Sequence, residues 1–437
     1  MKINLRVVVV VLAALYCVSA GTYKATHFSR DLIPVYGGVR CLVHGCNPYD
    51  PAELQRQYLL GHGDPHLALG SEFWTSYIPV YPPSAFLVLS PMALFTFPEV
   101  RLLWALVSSG LFVMAAAAVL LVCPPRYRWV STVLVSLFLV VKVNTSLLAQ
   151  GNPTPFAIAL LVLATILFLR DRYIPLAAVM LMLSLAVKPQ MGGLIAVYLL
   201  ARRIHWRPVV MAMAGAVAIL LVAGLILSVH PLSHDWVPAL RANVAQSIQP
   251  GQTNDPRPED FGAMGIVNLQ TLTSIFLTSA KAFNVAAFVI FAALLAAWAV
   301  AIVKANASPG DYYLQISALA VLSLLPVYHR SGDDLLLLLT IPAIMHLLEK
   351  RRVLGGWIAL TTALICIAEF TDALRVYIVN NEFGWPGILQ HKLLFILLMR
   401  QQSVLLLLLS GLYLAALFKV RAASQVPVNA LRHSYSA

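Results

Sequence analysis

The sequence contains little charge. Only 11% of its 437 residues are Asp, Glu, Lys or Arg, 60% are hydrophobic, and the mean hydropathy is +0.82. Soluble globular proteins carry about 25% charged residues, so this chain lacks the polar residues needed to cover a water-exposed surface. The scarcity of charge therefore excludes an ordinary soluble enzyme and predicts an all-α integral membrane protein.

The sequence motifs of several enzyme classes are also missing. There is no His/Cys/Asp cluster with zinc-ligand spacing, no phosphate-binding glycine loop and no nucleophile elbow, so we predict no metal and no cofactor. The five cysteines are too few for a disulfide scaffold, although Cys41 and Cys46 are close enough in sequence either to form a bridge outside the cytoplasm or to remain reduced. The net charge of +12 comes from short basic runs between apolar segments, so no nucleic-acid partner is expected.

Long apolar segments are abundant. A spanning helix needs about 20 mostly apolar residues, and somewhat fewer inside a bundle. The candidate spans are Leu5–Gly21, Arg128–Leu148, Pro153–Leu169, Tyr173–Val187, Gly192–Ala201, Val209–Val229, Ala282–Val303, Leu314–Val327, Leu335–Leu348, Val353–Ile367 and Ser403–Phe418. The stretch Val80–Pro124 predicts either a re-entrant or kinked element before a span over Arg101–Cys123, or one long bent helix. The total expected is about 11–13 spans.

Basic residues predict the orientation of this bundle. Sixteen of the 30 positive residues lie on one side of it with three acidic residues, whereas the other side carries 14 positive and 15 negative residues. The positive-inside rule makes the first side, and both termini, cytoplasmic. The sixteen are Lys2, Arg6, Arg126, Arg128, Arg170, Arg172, Arg202, Arg203, Arg207, Lys304, Lys350, Arg351, Arg352, Lys419, Arg421 and Arg432. The localisation expected is the cell (inner or plasma) membrane.

We predict one polytopic domain. Its parts are a first span (1–21), a first extracytoplasmic loop (22–78), a core of spans (79–229), a second extracytoplasmic loop (230–281), C-terminal spans (282–420) and a cytoplasmic tail (421–437). Alternatively, Leu5–Gly21 is a signal peptide with Val18-Ser19-Ala20 as its cleavage site. In both cases the segment that follows begins outside the cytoplasm.

The polar clusters all fall on the extracytoplasmic side. They are Asp31, the turn Gln150-Gly151-Asn152-Pro153, the tripeptide Lys188-Pro189-Gln190 and the pair His329-Arg330. Each alone has an ordinary explanation, such as a solvated loop charge, a helix–helix turn or a lysine at the headgroups. Their convergence at one edge of an apolar bundle favours a functional site. There, Asp31 is suited to act as a general base, and the cations are suited to hold a lipid phosphate.

The order of these motifs resembles a known family. The residues that carry the resemblance are Asp31 with Tyr36, Gly45-x-Asn47-Pro48-Tyr49-Asp50, Tyr81-Pro82-Pro83 with Pro91, Gln150-Gly151-Asn152, Lys188-Pro189-Gln190 before Arg202-Arg203, and His329 before a Leu-rich span with Pro342. Over roughly residues 5–420 the chain looks like glycosyltransferase family 87. These polyprenyl-phosphate-sugar-dependent membrane enzymes of the GT-C superfamily include the mycobacterial mannosyltransferase of phosphatidylinositol mannoside synthesis.

The resemblance implies a GT-C-type multi-span helical bundle with extracytoplasmic loop helices. It implies transfer of a sugar, mannose as the first expectation, from a polyprenyl-phosphate donor to a lipid-linked or surface glycan, in contact with the lipid bilayer. Asp31 would be the base of an inverting transfer, and the residues expected around donor or acceptor are Lys188, Gln190, His329, Arg330, Asn152, Tyr36 and Tyr49. The family often has a Tyr-Asp-like element after the histidine. This sequence has His329-Arg330-Ser331-Gly332-Asp333-Asp334 instead, which leaves the role of Asp333 open.

Three other functions remain open at this point. A transporter or flippase would usually show internal repeats and midplane ionisable groups, and we find no convincing repeat in the sequence. A lipid-linked glycan ligase or polymerase would use the same face of a similar bundle, although usually with a larger outside loop. A non-enzymatic scaffold would leave the polar clusters without a purpose.

Overall fold

The computed structural model describes residues 4–68, 78–145, 147–252, 254–259, 265–303 and 309–424. Three of the basic residues used to predict the orientation, Lys2, Lys304 and Arg432, lie outside the described residues, as do parts of both predicted extracytoplasmic loops and the predicted tail beyond Ser424. Within the described ranges the chain is helical throughout, apart from its connections and one isolated β-bridge.

The α-helices of eight residues or more are labelled in chain order. In the described residues they are α1 Leu5–Phe28, α2 Leu32–His44, α3 Pro51–Leu60, α4 Phe97–Val122, α5 Arg128–Thr145, α6 Thr154–Leu169, α7 Ile174–Val187, α8 Pro189–Ala201, α9 Trp206–Val229, α10 Trp236–Ser247, α11 Ala280–Val303, α12 Pro309–Ser323, α13 Ile341–Lys350, α14 Arg352–Ala368, α15 Lys392–Met399 and α16 Gln401–Ser424. A 3₁₀ segment, Ser331–Thr340, leads directly into α13.

Seven helical segments are long and apolar enough to cross a membrane. They are α1, α4, α9, α11, the continuous segment Ser331–Lys350, α14 extended to Thr371, and α16. Four shorter apolar helices accompany them, namely α2, α6, α7 and α8. Side chains such as Leu121, Leu225 and Val289 are exposed on the long helices, as expected where lipid is the solvent. The prediction of an all-α integral membrane protein is confirmed.

The stretch Val80–Pro124 contains one long apolar helix, α4. Two short helical turns, Pro83–Val88 and Ser90–Leu94, precede it. Thr96 then begins α4, because its backbone N–H and hydroxyl both donate to Glu99 Oε2 at 2.8 Å in a capping box. Of the two alternatives, the kinked element before a span describes this region, and one long bent helix is wrong.

The end predicted for the first span is too early. The helix α1 continues seven residues past Gly21 to Phe28 and runs without interruption through Val18-Ser19-Ala20. Polar residues such as Thr22 and Lys24 end the apolar pattern but do not end the helix. Arg101 of α4 donates from NH1 to the Thr26 carbonyl oxygen at 3.0 Å, which satisfies one carbonyl of the last turn. Asp31 therefore follows the end of α1 almost at once.

Contacts between connections define a basic end of the bundle. The Tyr127 hydroxyl donates to the Leu348 carbonyl oxygen at 3.0 Å, and Arg351 NH2 donates to the Lys419 carbonyl oxygen at 2.8 Å. These contacts join the connections after α4 and α13 to the end of α16. The connections at this end carry most of the described basic residues that predicted the orientation. The loops that carry the candidate site residues meet at the opposite ends of the same helices.

A second, smaller core lies at the opposite end. The main core is formed by the bundle helices, whereas α2, α3 and the start of α4 bury a separate cluster around Tyr36, Tyr58 and Phe97. Cys41 and Cys46 form a disulfide at the C-terminal end of α2, so the bridged alternative describes these cysteines. The helix α2 packs in this smaller core, with Asp31 at its N-terminal end.

Candidate functional site

Asp31 lies in the short connection between α1 and α2 and is half-buried. Its backbone N–H donates to the Gln150 carbonyl oxygen at 3.1 Å. Its Oδ2 accepts a hydrogen bond from Asn152 Nδ2 at 2.9 Å. Two loops that are far apart in sequence are therefore joined at Asp31, by one main-chain and one side-chain hydrogen bond.

Gly151 allows the chain to turn tightly between these two contacts. Its φ of +74° lies in the left-handed region, where a side chain is strained. A Cβ at this position would lie 2.8 Å from Leu32 Cβ, and the Gly151 carbonyl oxygen accepts from Trp104 Nε1 at 2.9 Å. A glycine is thus required both by the backbone conformation and by the close approach of α2.

The amide of Asn152 is held in one orientation. Its Oδ1 accepts from the Thr154 backbone N–H at 2.9 Å and from the Thr154 hydroxyl at 2.7 Å, at the first turn of α6. Because Oδ1 is the acceptor in both, Nδ2 is the atom directed at Asp31. The asparagine therefore presents a donor to the carboxylate.

Lys188 lies at a break between two apolar helices. Pro189 disfavours helical backbone at the preceding residue, so α7 ends at Val187 and α8 begins at Pro189. Lys188 Nζ donates to the Thr154 hydroxyl at 2.5 Å and to the Asp333 oxygens at 2.9 and 3.1 Å. Its side chain is only 13% exposed, so the break brings an ammonium group into the bundle end.

Asp333 joins this chain of contacts to the loop after α12. Its carboxylate is 1% exposed and contacts His329 Nδ1 at 2.9 Å, and it accepts from the Arg330 backbone N–H at 3.3 Å. Arg330 Nε also donates to the Tyr328 hydroxyl. The loop is fixed from the other side by main-chain contacts, since Val267 N–H donates to the His329 carbonyl oxygen at 2.8 Å and Ile266 forms a β-bridge with Arg330.

The environment of Asp31 raises the pKa of its carboxyl above the ordinary value. Burial is the largest cause, and the negative charge of Asp333 adds to it. The Asn152 amide and the charges of Arg330 and Lys188 act in the opposite direction without cancelling the effect of burial. A carboxylate with a raised pKa is a stronger proton acceptor, which suits a general base.

Five of the predicted site residues therefore come together. Asp31 contacts Asn152, and Thr154 continues the chain to Lys188, which meets His329 and Arg330 through Asp333. Whether each of these residues acts in a reaction stays a prediction at this point.

The other three predicted residues lie outside this network in the described structure. Gln190 is exposed in the first turn of α8. Tyr36 is fully buried in the smaller core, and its hydroxyl donates to the Phe95 carbonyl oxygen at 2.8 Å. Tyr49 is also buried, and its hydroxyl donates to the Tyr81 carbonyl oxygen at 2.8 Å. The two tyrosines thus use their hydroxyl groups to hold the loops.

Several residues near Asp31 were not among the predicted site residues. Thr154 bridges Asn152 and Lys188, and it directly follows the Gln-Gly-Asn-Pro turn. Tyr81 belongs to the Tyr-Pro-Pro motif. Burial raises the pKa of its phenol well above the usual value, with further contributions from the charges of Asp31 and Asp333. Asp333 follows His329 by only four positions, at the start of the 3₁₀ segment Ser331–Thr340.

One group of possible metal ligands occurs among the described residues. Cys41, Cys46 and Glu53 offer ligand atoms within 4.8 Å of one another. The two sulfurs are joined in the disulfide and lack the thiolate character that a metal requires. The group also belongs to the smaller core region rather than to the network at Asp31. The absence of a metal from the reaction stays a prediction.

Comparison with known proteins supplies the family. The family model of glycosyltransferase family 87 matches residues 80–327, which is more than half of the chain. The chain belongs to glycosyltransferase family 87. The comparison with curated proteins finds no match, so similarity to the mycobacterial mannosyltransferase stays a prediction.

Membership of family 87 makes the chain a membrane glycosyltransferase. Of the functions left open by the sequence, the match favours the transferase over a flippase or a scaffold. The matched region contains Asn152, Thr154 and Lys188, whereas Asp31 precedes it and the loop with His329 begins just after it. The network described here therefore connects residues inside the matched region to residues on both sides of it.

Proposed function

We propose that this glycosyltransferase moves a sugar from a polyprenyl-phosphate donor to a hydroxyl of a lipid-linked or surface glycan, with inversion at the anomeric carbon. The observation that carries the proposal is the hydrogen-bonded chain from Asp31 through Asn152 and Thr154 to Lys188. It places a half-buried carboxylate and an ammonium group in one network at the end of an apolar bundle. Mannose is the first sugar to test, on the resemblance alone.

In this proposal Asp31 is the general base. Oδ2 of Asp31 is held by Asn152, which leaves Oδ1 to take the proton from the acceptor hydroxyl. The acceptor oxygen then bonds to the anomeric carbon, and the bond from this carbon to the phosphate oxygen breaks with its electron pair on the phosphate. Attack from the face opposite the phosphate inverts the configuration.

The cations next to Asp31 suit the leaving phosphate. The charges of Lys188 and Arg330 lower the pKa of the Asp31 carboxyl against the effect of burial, which supports a position close to the proposed base. A phosphate gains negative charge as the glycosidic bond breaks, and positive groups already in place stabilise that charge. Lys188 and Arg330 are therefore the proposed phosphate ligands, and Arg330 supplies a planar fork suited to phosphate oxygens.

The short basic connections favour a lipid-linked donor over a nucleotide sugar. At the basic end, α7 follows α6, α9 follows α8, and α14 follows α13, each after only a few residues. Connections of this length build no nucleotide-binding domain. A donor that is itself a lipid reaches the site from the bilayer and needs no such domain.

The donor class is tested directly by offering different sugars. We expect the purified full-length protein to form a mass-shifted glycolipid from membrane lipid extract and one member of a panel of polyprenyl-phosphate sugars. We expect no transfer when nucleotide sugars are the only donors. Mass spectrometry of the lipid product and its anomeric configuration are the measurements. Transfer from a nucleotide sugar by the purified protein would refute the proposed donor class.

The proposed site faces the extracytoplasmic side of the cell membrane, with both termini in the cytoplasm, because the opposite end of the bundle is basic. Two exposed positions test this topology. A membrane-impermeant maleimide should label Gln246→Cys, on α10, in intact cells, and should label Lys350→Cys, at the basic end, only after permeabilisation. The native Cys17, Cys123 and Cys366 are buried and give a low background. The reverse labelling pattern would invert the proposed orientation.

A further inference from the structure

His329 is buried with both ring nitrogens in contact with oxygen atoms. Its side chain is 1% exposed, its Nδ1 lies 2.9 Å from Asp333 Oδ2, and its Nε2 lies 3.1 Å from the Ser323 carbonyl oxygen. A carbonyl oxygen carries no hydrogen, so the contact with Ser323 requires a hydrogen on Nε2. The protonation of Nδ1 then depends on whether the Asp333 carboxyl is ionised.

The other contacts of Asp333 in the described structure favour its ionised form. Its oxygens accept from Lys188 Nζ and from the Arg330 backbone N–H, and neither group can accept a hydrogen. The carboxyl is buried between these donors, where a neutral acid would leave the ammonium group without a counter-charge. Asp333 is therefore a carboxylate, and a carboxylate only accepts. The Nδ1 atom of His329 must also carry a hydrogen.

We propose that His329 is held as a doubly protonated imidazolium, and that Asp333 is a positioning residue that fixes this imidazolium and the Lys188 ammonium as one buried cationic triad. His329 then acts on the donor phosphate through Asp333 and Lys188 rather than by touching it, because both of its nitrogens are already bonded. The effect of the triad on transfer rests on the proposed function. The protonation state of His329 does not.

The protonation state can be measured without any activity. The full-length protein, labelled with ¹⁵N at its histidine rings and reconstituted in lipid, is examined by solid-state NMR at about pH 8, where an unperturbed histidine, with a pKa of about 6.5, is neutral. We expect one ring with hydrogen on both nitrogens, a signal that disappears in His329→Gln. A bare nitrogen on the His329 ring would overturn the proposal.

Two further variants keep this test decisive. His205 also faces a carboxylate, since its Nε2 lies 3.3 Å from Asp171 Oδ1 at the basic end, and His205→Gln should leave the doubly protonated signal in place. This variant excludes His205 as the source of the signal even where His329→Gln fails to fold. In Asp333→Asn the carboxylate is gone, so the His329 ring should show one bare nitrogen. An unchanged doubly protonated ring in that variant would show that Asp333 does not hold it.

Activity measurements separate this inference from the proposed function. We expect Asp333→Asn to lower kcat/KM for the donor at least about tenfold in the folded fraction, because the Lys188 ammonium loses its anchor. His329→Gln should lower it in the same direction, because Asp333 loses the imidazolium that fixes it. A purely structural role would lower the thermal midpoint and leave the kcat/KM of the folded fraction unchanged, which would refute the positioning role. The NMR result can be as expected while neither the wild type nor any variant transfers a sugar from a polyprenyl-phosphate donor. In that case the proposed function is refuted, and the proposed protonation of His329 is retained.

Discussion

Asp31→Asn is expected to abolish transfer while leaving the protein folded and inserted in the membrane. The replacement is nearly isosteric, and its amide oxygen can still accept from Asn152 Nδ2, so the contact between the two loops is kept. What is lost is the proton acceptor, and a positioned general base contributes about 10²–10⁴-fold to a rate. The measurement is the initial rate of glycolipid formation with saturating donor and acceptor, alongside the thermal midpoint.

Asp50→Asn is the matched control for this substitution. Asp50 is exposed on the same side of the bundle and caps α3 by accepting from the Ala52 backbone N–H at 2.9 Å. Asparagine caps helices about as well as aspartate, so both folding and transfer should be retained. Wild-type rates in the Asp31 variant would remove Asp31 as the base, even with an unchanged fold.

Lys188→Ala is expected to cause the second-largest loss, mainly in the use of the donor. A charge-assisted hydrogen bond is worth about 1.5–3 kcal/mol, so kcat/KM for the donor should fall by roughly tenfold or more. The loss of the ammonium group also leaves the Asp333 carboxylate facing the donor phosphate, which adds repulsion between like charges. Steady-state kinetics with varied donor concentration measure this effect.

Two control variants accompany Lys188→Ala. Lys188→Arg keeps the charge with a different geometry and should recover part of the donor use. Lys392 is an exposed lysine of α15, and its ammonium lies 5.5 Å from the centre of the Phe276 ring. Lys392→Met should leave the donor kinetics unchanged. Donor kinetics in Lys188→Ala equal to those of the wild type would refute the proposed phosphate site.

The helices of the bundle were largely readable from the sequence. The predicted segments Tyr173–Val187 and Ala282–Val303 correspond to α7 and α11 with ends shifted by one or two residues. Such segments are apolar on all sides, so length and composition identify them without any knowledge of their neighbours. The end of α1 was missed because polar residues continue a helix when other segments satisfy its last carbonyl groups.

The contacts between the residues of the candidate site could not be predicted from the sequence in the same way. Asp333 was left without a role because the sequence departs from the family pattern after His329. Its contact with Lys188 joins residues 145 positions apart, and no local pattern encodes such a pairing. Tyr36 and Tyr49 were predicted near the substrate because they belong to the motifs that carry the resemblance. The structure uses their hydroxyl groups within the protein, and a sequence does not distinguish these two uses.

The short β-pairing at Ile266 and Val267 has a consequence for the amino-acid substitutions that these two positions tolerate. The hydrogen bond from Val267 to His329 uses only main-chain atoms, so its strength depends little on which side chains occupy the loop. Proline at Val267 would remove this hydrogen bond to the loop with His329, because proline has no N–H to donate. The loop with His329 is therefore held in register by main-chain atoms, while the side chains of Ile266 and Val267 are themselves buried in the protein.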